Sequence, residues 1–211
     1  MVEVTHPMMP HGTDTGRRSS TGPLSRQRPA PVRRPLSVPR PTLARMAATH
    51  TYELTVRWTG NTGTGTDSYR SFARTHEVRA EGKPSIPASA DPYFRGDSDR
   101  WNPEELLVSA LSECHMLWFL HLCAANGVVV TDYVDRPAGS MVMDEGGRGG
   151  GQFSEVLLRP QVTVADASME EKAAALHADV PALCFIARSV NFPVRHEPTV
   201  RTERRGSPPP A

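Results

Sequence analysis

The stretch from Arg100 to Gly127, RWNPEELLVSALSECHMLWFLHLCAANG, constrains this chain more than any other. It opens with helix-start chemistry. Asn102 is an N-cap, and Pro103 occupies the first helical position, where no donor is lost. Glu104 and Glu105 lie in the first turn, where the helix dipole favours negative charge. Glu105 stands three residues after Asn102, the spacing of a capping box. Asn126-Gly127 closes the stretch, with Gly127 free to take a left-handed closing position. Between these ends the sequence is apolar on almost every helical face, which predicts a helix buried on all sides. At about 1.5 Å per residue it is roughly 36 Å long, enough to cross a bilayer. Glu113, His115 and His121 interrupt it and the flanks carry no anchoring pattern, so the expectation is a core helix and no membrane association.

Outside this helix the charge is uneven. Residues 1–45 hold eight Arg against Glu3 and Asp14, about +6, while the whole chain is +1, leaving about −5 for the rest. An acidic folded region argues against a nucleic-acid partner. Residues 1–45 are rich in Pro, Arg, Ser and Gly without apolar periodicity, the composition of a disordered extension. Met46 is a candidate start, since patterned sequence begins directly after it. The reading is therefore an extension over 1–45, a folded domain over 46–200 and a disordered tail over 201–211. Three cysteines with no paired framework fit a reducing compartment, the cytoplasm, rather than a disulfide-stapled fold.

Tyr52–Trp58 alternates apolar and polar residues, predicting a half-buried strand, and Tyr69–Ala80 is a second strand candidate. Residues Gly82–Asp99 read as irregular. After the helix, Val128–Val134 reads as extended and Gly139–Asp144 as its continuation. Gly146–Gly151 reads as a hairpin turn and Phe153–Val164 as one strand. Ser168-Met-Glu-Glu171 predicts a capped helix through Ala182, Cys184–Ala187 a short helix, and Phe192–Val200 a last strand. Strands, a buried helix, strands, helices and a strand suggest an α+β fold rather than a doubly wound sheet. The glycines of residues 59–66 lack phosphate-loop spacing, and no motif asks for a bound cofactor.

Cys114 and Cys184 are the candidate reactive residues. Cys123 follows Cys114 by nine residues, about 900° of helix rotation, and so faces the other way. Buried cysteines are commonly inert, so composition alone leaves both readings open. A zinc set of Cys114, His115, His121 and Cys184 has no supporting spacing. His115 and His121 read as packed or hydrogen-bonded core histidines.

Asn102-Pro-Glu-Glu-Leu-Leu followed by a small-residue run and a helical cysteine resembles the osmotically inducible protein C / organic hydroperoxide resistance (OsmC/Ohr) family. Leu183-Cys184 and Val190-Asn-Phe-Pro-Val194 agree with one branch of it, and the likeness spans about Tyr52 to Val200. The resemblance implies an intertwined homodimer that reduces organic hydroperoxides and is recycled by a dithiol such as one of the lipoyl type. It implies Cys114 as the attacking cysteine, Cys184 as the resolving cysteine, Glu104 as the active-site carboxylate and Arg95 as the arginine, with Arg70 in reserve. The residue types suit that chemistry: a guanidinium beside a thiol favours the thiolate, and a carboxylate can hold the guanidinium by a bidentate pair. Two residues depart from the pattern. Glu113 puts negative charge next to Cys114, and Phe185 follows Cys184 where other branches carry Pro. A second function fits the same fold, a module binding an apolar ligand near Trp118 and Phe94 with idle cysteines.

The spacing of Glu104 and Cys114 carries its own consequence. Ten residues of one helix separate them by about 15 Å along the axis and about 80° in direction. One arginine cannot bridge both groups on a straight helix. Either the helix breaks near Ser109–Ser112, or the carboxylate and arginine reach Cys114 from a second subunit.

Overall fold

The computed structural model describes residues 48–145 and 150–203. The extension of residues 1–45, most of the Gly146–Gly151 turn and the tail after residue 203 lie outside the described residues.

The central helix α1 runs unbroken from Pro103 to Ala125, and its ends follow from the local sequence. Asn102 accepts the Glu105 amide through Oδ1 at 2.8 Å, and Glu105 Oε2 accepts the Asn102 amide at 3.2 Å. Gly127 has φ 71°, the left-handed conformation that closes the helix, and the Val128 amide donates back to the Cys123 carbonyl at 2.9 Å. The buried stripe is Leu111, His115, Phe119 and Cys123, every fourth residue of one face. The expectation of burial on all sides is corrected: Leu117 is 62% exposed, and most other apolar positions of α1 are half-buried. The apolar sequence covers more of the helix than the described residues bury.

The strands form three three-stranded sheets. The first joins β1 (Thr55–Trp58), β2 (His76–Arg79) and β3 (Ile86–Ala88), all antiparallel. β3 and a 3-10 turn at Pro92–Phe94 lie where the sequence reads as irregular. The predicted half-burial of β1 fails as well. Leu54, Val56 and Trp58 are exposed, because no layer among the described residues covers that face.

The second sheet joins β4 (Val130–Val134), β7 (Gln161–Val164) and β9 (Thr199–Thr202). The third joins β5 (Ala138–Met143), β6 (Gly151–Leu158) and β8 (Val194–His196). β5 is thus not a continuation of β4. It pairs with β6 in another sheet and approaches α1 closely, since a Cβ on Gly139 would lie 2.8 Å from Val108. The predicted strand over Phe153–Val164 is two strands, because Pro160 interrupts the ladder and passes the chain from one sheet to the other. The predicted last strand is also two, β8 and β9, each parallel to its neighbour.

The helical segment near the C-terminus differs from its expectation too. Asp166, not Ser168, caps the turn, accepting both the amide and the hydroxyl of Ser168. The predicted single helix is α2 (Glu170–Leu176) and α3 (Val180–Leu183), divided before Pro181. Cys184 is the extended C-cap of α3 rather than part of a further helix.

The core lies where α1 crosses both C-terminal sheets. Leu111 packs with Val156 and Leu158 of β6. Phe119 and Cys123 pack with Val162 and Val164 of β7, with Ala173 and Leu176 of α2, and with Val180 and Cys184. Asp135, just past β4, ties these layers together. It accepts the Ser112 hydroxyl of α1 at 2.6 Å and the Arg159 amide between β6 and β7 at 2.6 Å.

Candidate active site

Cys114 projects from the edge of the buried stripe of α1, half-buried, and joins the same apolar cluster as Cys184. Cys184 is 1% exposed, held by the end of α3, and its Sγ accepts the Ala187 amide at 3.4 Å. Burial, reinforced by the neighbouring Cys114 thiol, pushes the Cys184 thiol up to about 11. All three cysteines are free. The sequence thus supplies two thiols seventy residues apart, and α3 brings the second against the first.

Cys123 stays apart as its helix position requires. It is buried among Phe119 and its neighbours, and desolvation pushes its thiol up to about 11. With Cys114 on another face of α1, it packs as a core residue.

The other sequence-derived site residues do not gather around Cys114 within this chain. Glu104 lies in the first turn of α1, in a cleft of about 490 Å³ shared with Glu105, Glu113, Asp135, Val108 and Phe153. Its Oε2 is buried and accepts no hydrogen bond among the described residues. Arg95 is exposed in the left-handed conformation (φ 68°) that ends the Pro92–Phe94 turn. Arg70 is exposed in the turn before β2. Neither arginine forms an ion pair among the described residues. Glu113 accepts the Ser109 hydroxyl at 2.5 Å and faces that cleft, so its carboxylate is held away from Cys184.

Two aromatic rings flank the thiols. Trp118, one turn after Cys114, meets Phe185, the residue after Cys184, with centroids 5.7 Å apart. Phe185 is 65% exposed. Phe94, by contrast, pairs edge-to-face with Tyr93 before α1 rather than with Trp118.

His115 is a hydrogen-bonded core histidine, as its position suggests, but its partners were hidden in the sequence. Its Nε2 lies 3.0 Å from His177 Nδ1, and its ring lies 5.2 Å from that of His196. Burial first lowers both, His115 to about 4 with further repulsion from His196, and His177 to about 3 with further repulsion from His115 and His196. His121 does not share this role. It is exposed, edge-on to Trp118, so it cannot join His115 in one metal site. His177 and His196 carry no motif spacing relative to His115; three separate elements bring them together.

A half-buried thiol on a long helix, backed by a buried thiol on a following loop, defines a dithiol site in an α+β fold. The sequence pattern of the family described as OsmC-like protein matches residues 96–199. An OsmC-like protein of unknown function from Vibrio cholerae O1 biovar eltor is 30% identical with TM-score 0.63, over 72% of this chain and all (100%) of its own. The chain therefore belongs to the OsmC-like family. More distant structures share the fold. An organic hydroperoxide resistance protein from Elizabethkingia anophelis is 16% identical with TM-score 0.53, over 74% of this chain and 100% of its own. An OsmC-like protein from Mycoplasma pneumoniae is 14% identical with TM-score 0.52, over 72% and 99%. No curated protein sequence matches the chain.

Proposed function

We propose that this protein is a thiol peroxidase that reduces organic hydroperoxides. The observation that carries the reading is the placement of Cys184, buried, against the half-buried Cys114. The Cys114 thiolate attacks the distal peroxide oxygen, the O–O bond breaks, and the alkoxide leaves as an alcohol after taking a proton. Cys114 is then a sulfenic acid. The Cys184 sulfur attacks the Cys114 sulfur, a disulfide forms, and water departs. A dithiol, of the dihydrolipoamide type, reduces the disulfide by exchange and is itself oxidised. Cytoplasmic reductants would supply it.

The site is completed in a homodimer. α1 is unbroken, so Glu104 stays about 15 Å along the axis from Cys114 of the same chain. The unpartnered Glu104 oxygen suits a guanidinium, Arg95 or else Arg70, arriving with a second copy. The exposed apolar residues Leu54, Val56, Trp58 and Leu117 suit burial against that copy.

Titrating thiols before and after one equivalent of cumene hydroperoxide tests the reaction. Loss of two of the three thiols supports the peroxidase. Loss of none overturns it in favour of a module that holds an apolar ligand beside Trp118.

A further inference from the structure

Resting on the two-thiol reading above, we propose that His196 is the proton acceptor for the Cys184 thiol when that thiol attacks the oxidised Cys114, with His115 and His177 as positioning residues behind it. Cys184, His115 and His196 line one small cavity of about 10 Å³, walled by Leu111, Leu158 and Val194. A space of that size holds about one water. The Cys184 thiol and the His115 and His196 imidazoles therefore border one small cavity.

The need for an acceptor follows from burial. A thiol pushed up to about 11 stays protonated at neutral pH, and its apolar surroundings offer no bulk water to receive the proton. The titratable groups facing His196 are few: His115 from α1, His177 after α2, and Cys184 after α3. Asp135 acts on His115, while Arg195, next in the strand, pairs outward with Glu155 at 3.6 Å.

Within the trio His196 is the member free to act. His115 Nε2 is committed to His177 Nδ1, and both rings are almost fully buried. His196 is half-buried and makes no side-chain hydrogen bond among the described residues. Burial lowers it below its ordinary value, so it is neutral and has a lone pair to offer. A proton on His196 disfavours protonation of both neighbours.

The step balances. His196 takes the Cys184 proton as the Cys184 sulfur bonds to the Cys114 sulfenic sulfur. The S–O bond breaks with its electron pair on oxygen, and that hydroxide takes the proton from the imidazolium and leaves as water. His196 need not be a strong base, because the proton ends on a far stronger one.

The test isolates attack by Cys184 without peroxide. In a Cys123→Ser background, one equivalent of Ellman's reagent gives two bursts of thionitrobenzoate. Cys114 releases the first, and Cys184, displacing the mixed disulfide, releases the second. His196→Gln is expected to slow the second burst about 100-fold, the usual range for a lost general base, and to abolish its decline toward acid pH. Added imidazole is expected to restore the burst in His196→Ala. An unchanged second burst, or a slow one that keeps its acid decline and ignores imidazole, overturns the proposal. Should cumene hydroperoxide consume no thiol while these bursts behave as expected, the peroxidase reading fails and the role of His196 stands.

Discussion

Inside the core, His115 Nε2 and His177 Nδ1 lie 3.0 Å apart, with Phe119 stacked on His177 at 3.8 Å between ring centres. Neither ring can accept a proton cheaply there. The unfolded chain binds protons at both histidines below about 6.5, while the folded chain holds them neutral until about 4 and about 3. The unfolded state therefore binds more protons in that window, and stability falls as pH drops from about 6.5 to about 4. For His115 the shift corresponds to about 3 kcal/mol. Urea midpoints at pH 7 and pH 4.5 are expected to differ accordingly, and His177→Gln is expected to flatten the difference. A midpoint that stays constant over this range contradicts the buried neutral pair.

The three cysteines are expected to separate cleanly. Cys114→Ser abolishes peroxide turnover. Cys184→Ser permits one attack and leaves Cys114 to overoxidise, visible as a mass gain of two or three oxygens. Cys123→Ser keeps turnover within about twofold but lowers stability by about 1–2 kcal/mol, since it puts a hydroxyl among Phe119, Val162 and Val164. Turnover surviving in Cys114→Ser removes the mechanism.

Assembly can be read from mixed subunits. Co-expressed Cys114→Ser and Glu104→Ala chains are expected to recover part of the activity, because one site of each mixed dimer then has an intact Cys114 and an intact Glu104 from its neighbour. Neither variant alone recovers it. A fully active monomer in sedimentation contradicts a shared site.

The substrate preference follows from the aromatic pair at the thiols. Trp118 and Phe185 offer apolar area worth about 25 cal/mol per Å² when an organic group covers it. Cumene hydroperoxide is expected to exceed hydrogen peroxide in kcat/KM by at least tenfold, and Phe185→Ala to narrow the gap. Equal efficiencies for the two peroxides speak against an apolar seat.

Asp135 is expected to matter for stability in proportion to its two hydrogen bonds. Asp135→Ala leaves the Arg159 amide and the Ser112 hydroxyl without their acceptor and is expected to cost about 2 kcal/mol in urea unfolding. A loss under about 0.5 kcal/mol means that water replaces the carboxylate.

The sequence by itself determined the local features. Asn102, Pro103, Glu105 and Gly127 set the ends of α1, because capping depends on residues within one turn of each other. The Asn-Pro-Glu motif and the helical Cys114 were legible as family features for the same reason, and the helix's continuity made the distance between Glu104 and Cys114 a matter of counting. Tertiary structure decided everything that depends on separate elements meeting. It split Phe153–Val164 at Pro160 between two sheets and set β5 apart from β4, since strand partners are chosen by burial and not by neighbouring residues. It put Cys184 against Cys114. It also gathered His115, His177 and His196 from α1, the end of α2 and β8, a grouping with no spacing that a single chain of letters could display. The all-round apolar character of α1 belongs to both levels: composition demanded cover on every face, and the fold of the described residues left Leu117 in need of more, because about 150 residues supply too few layers to surround a helix of this length.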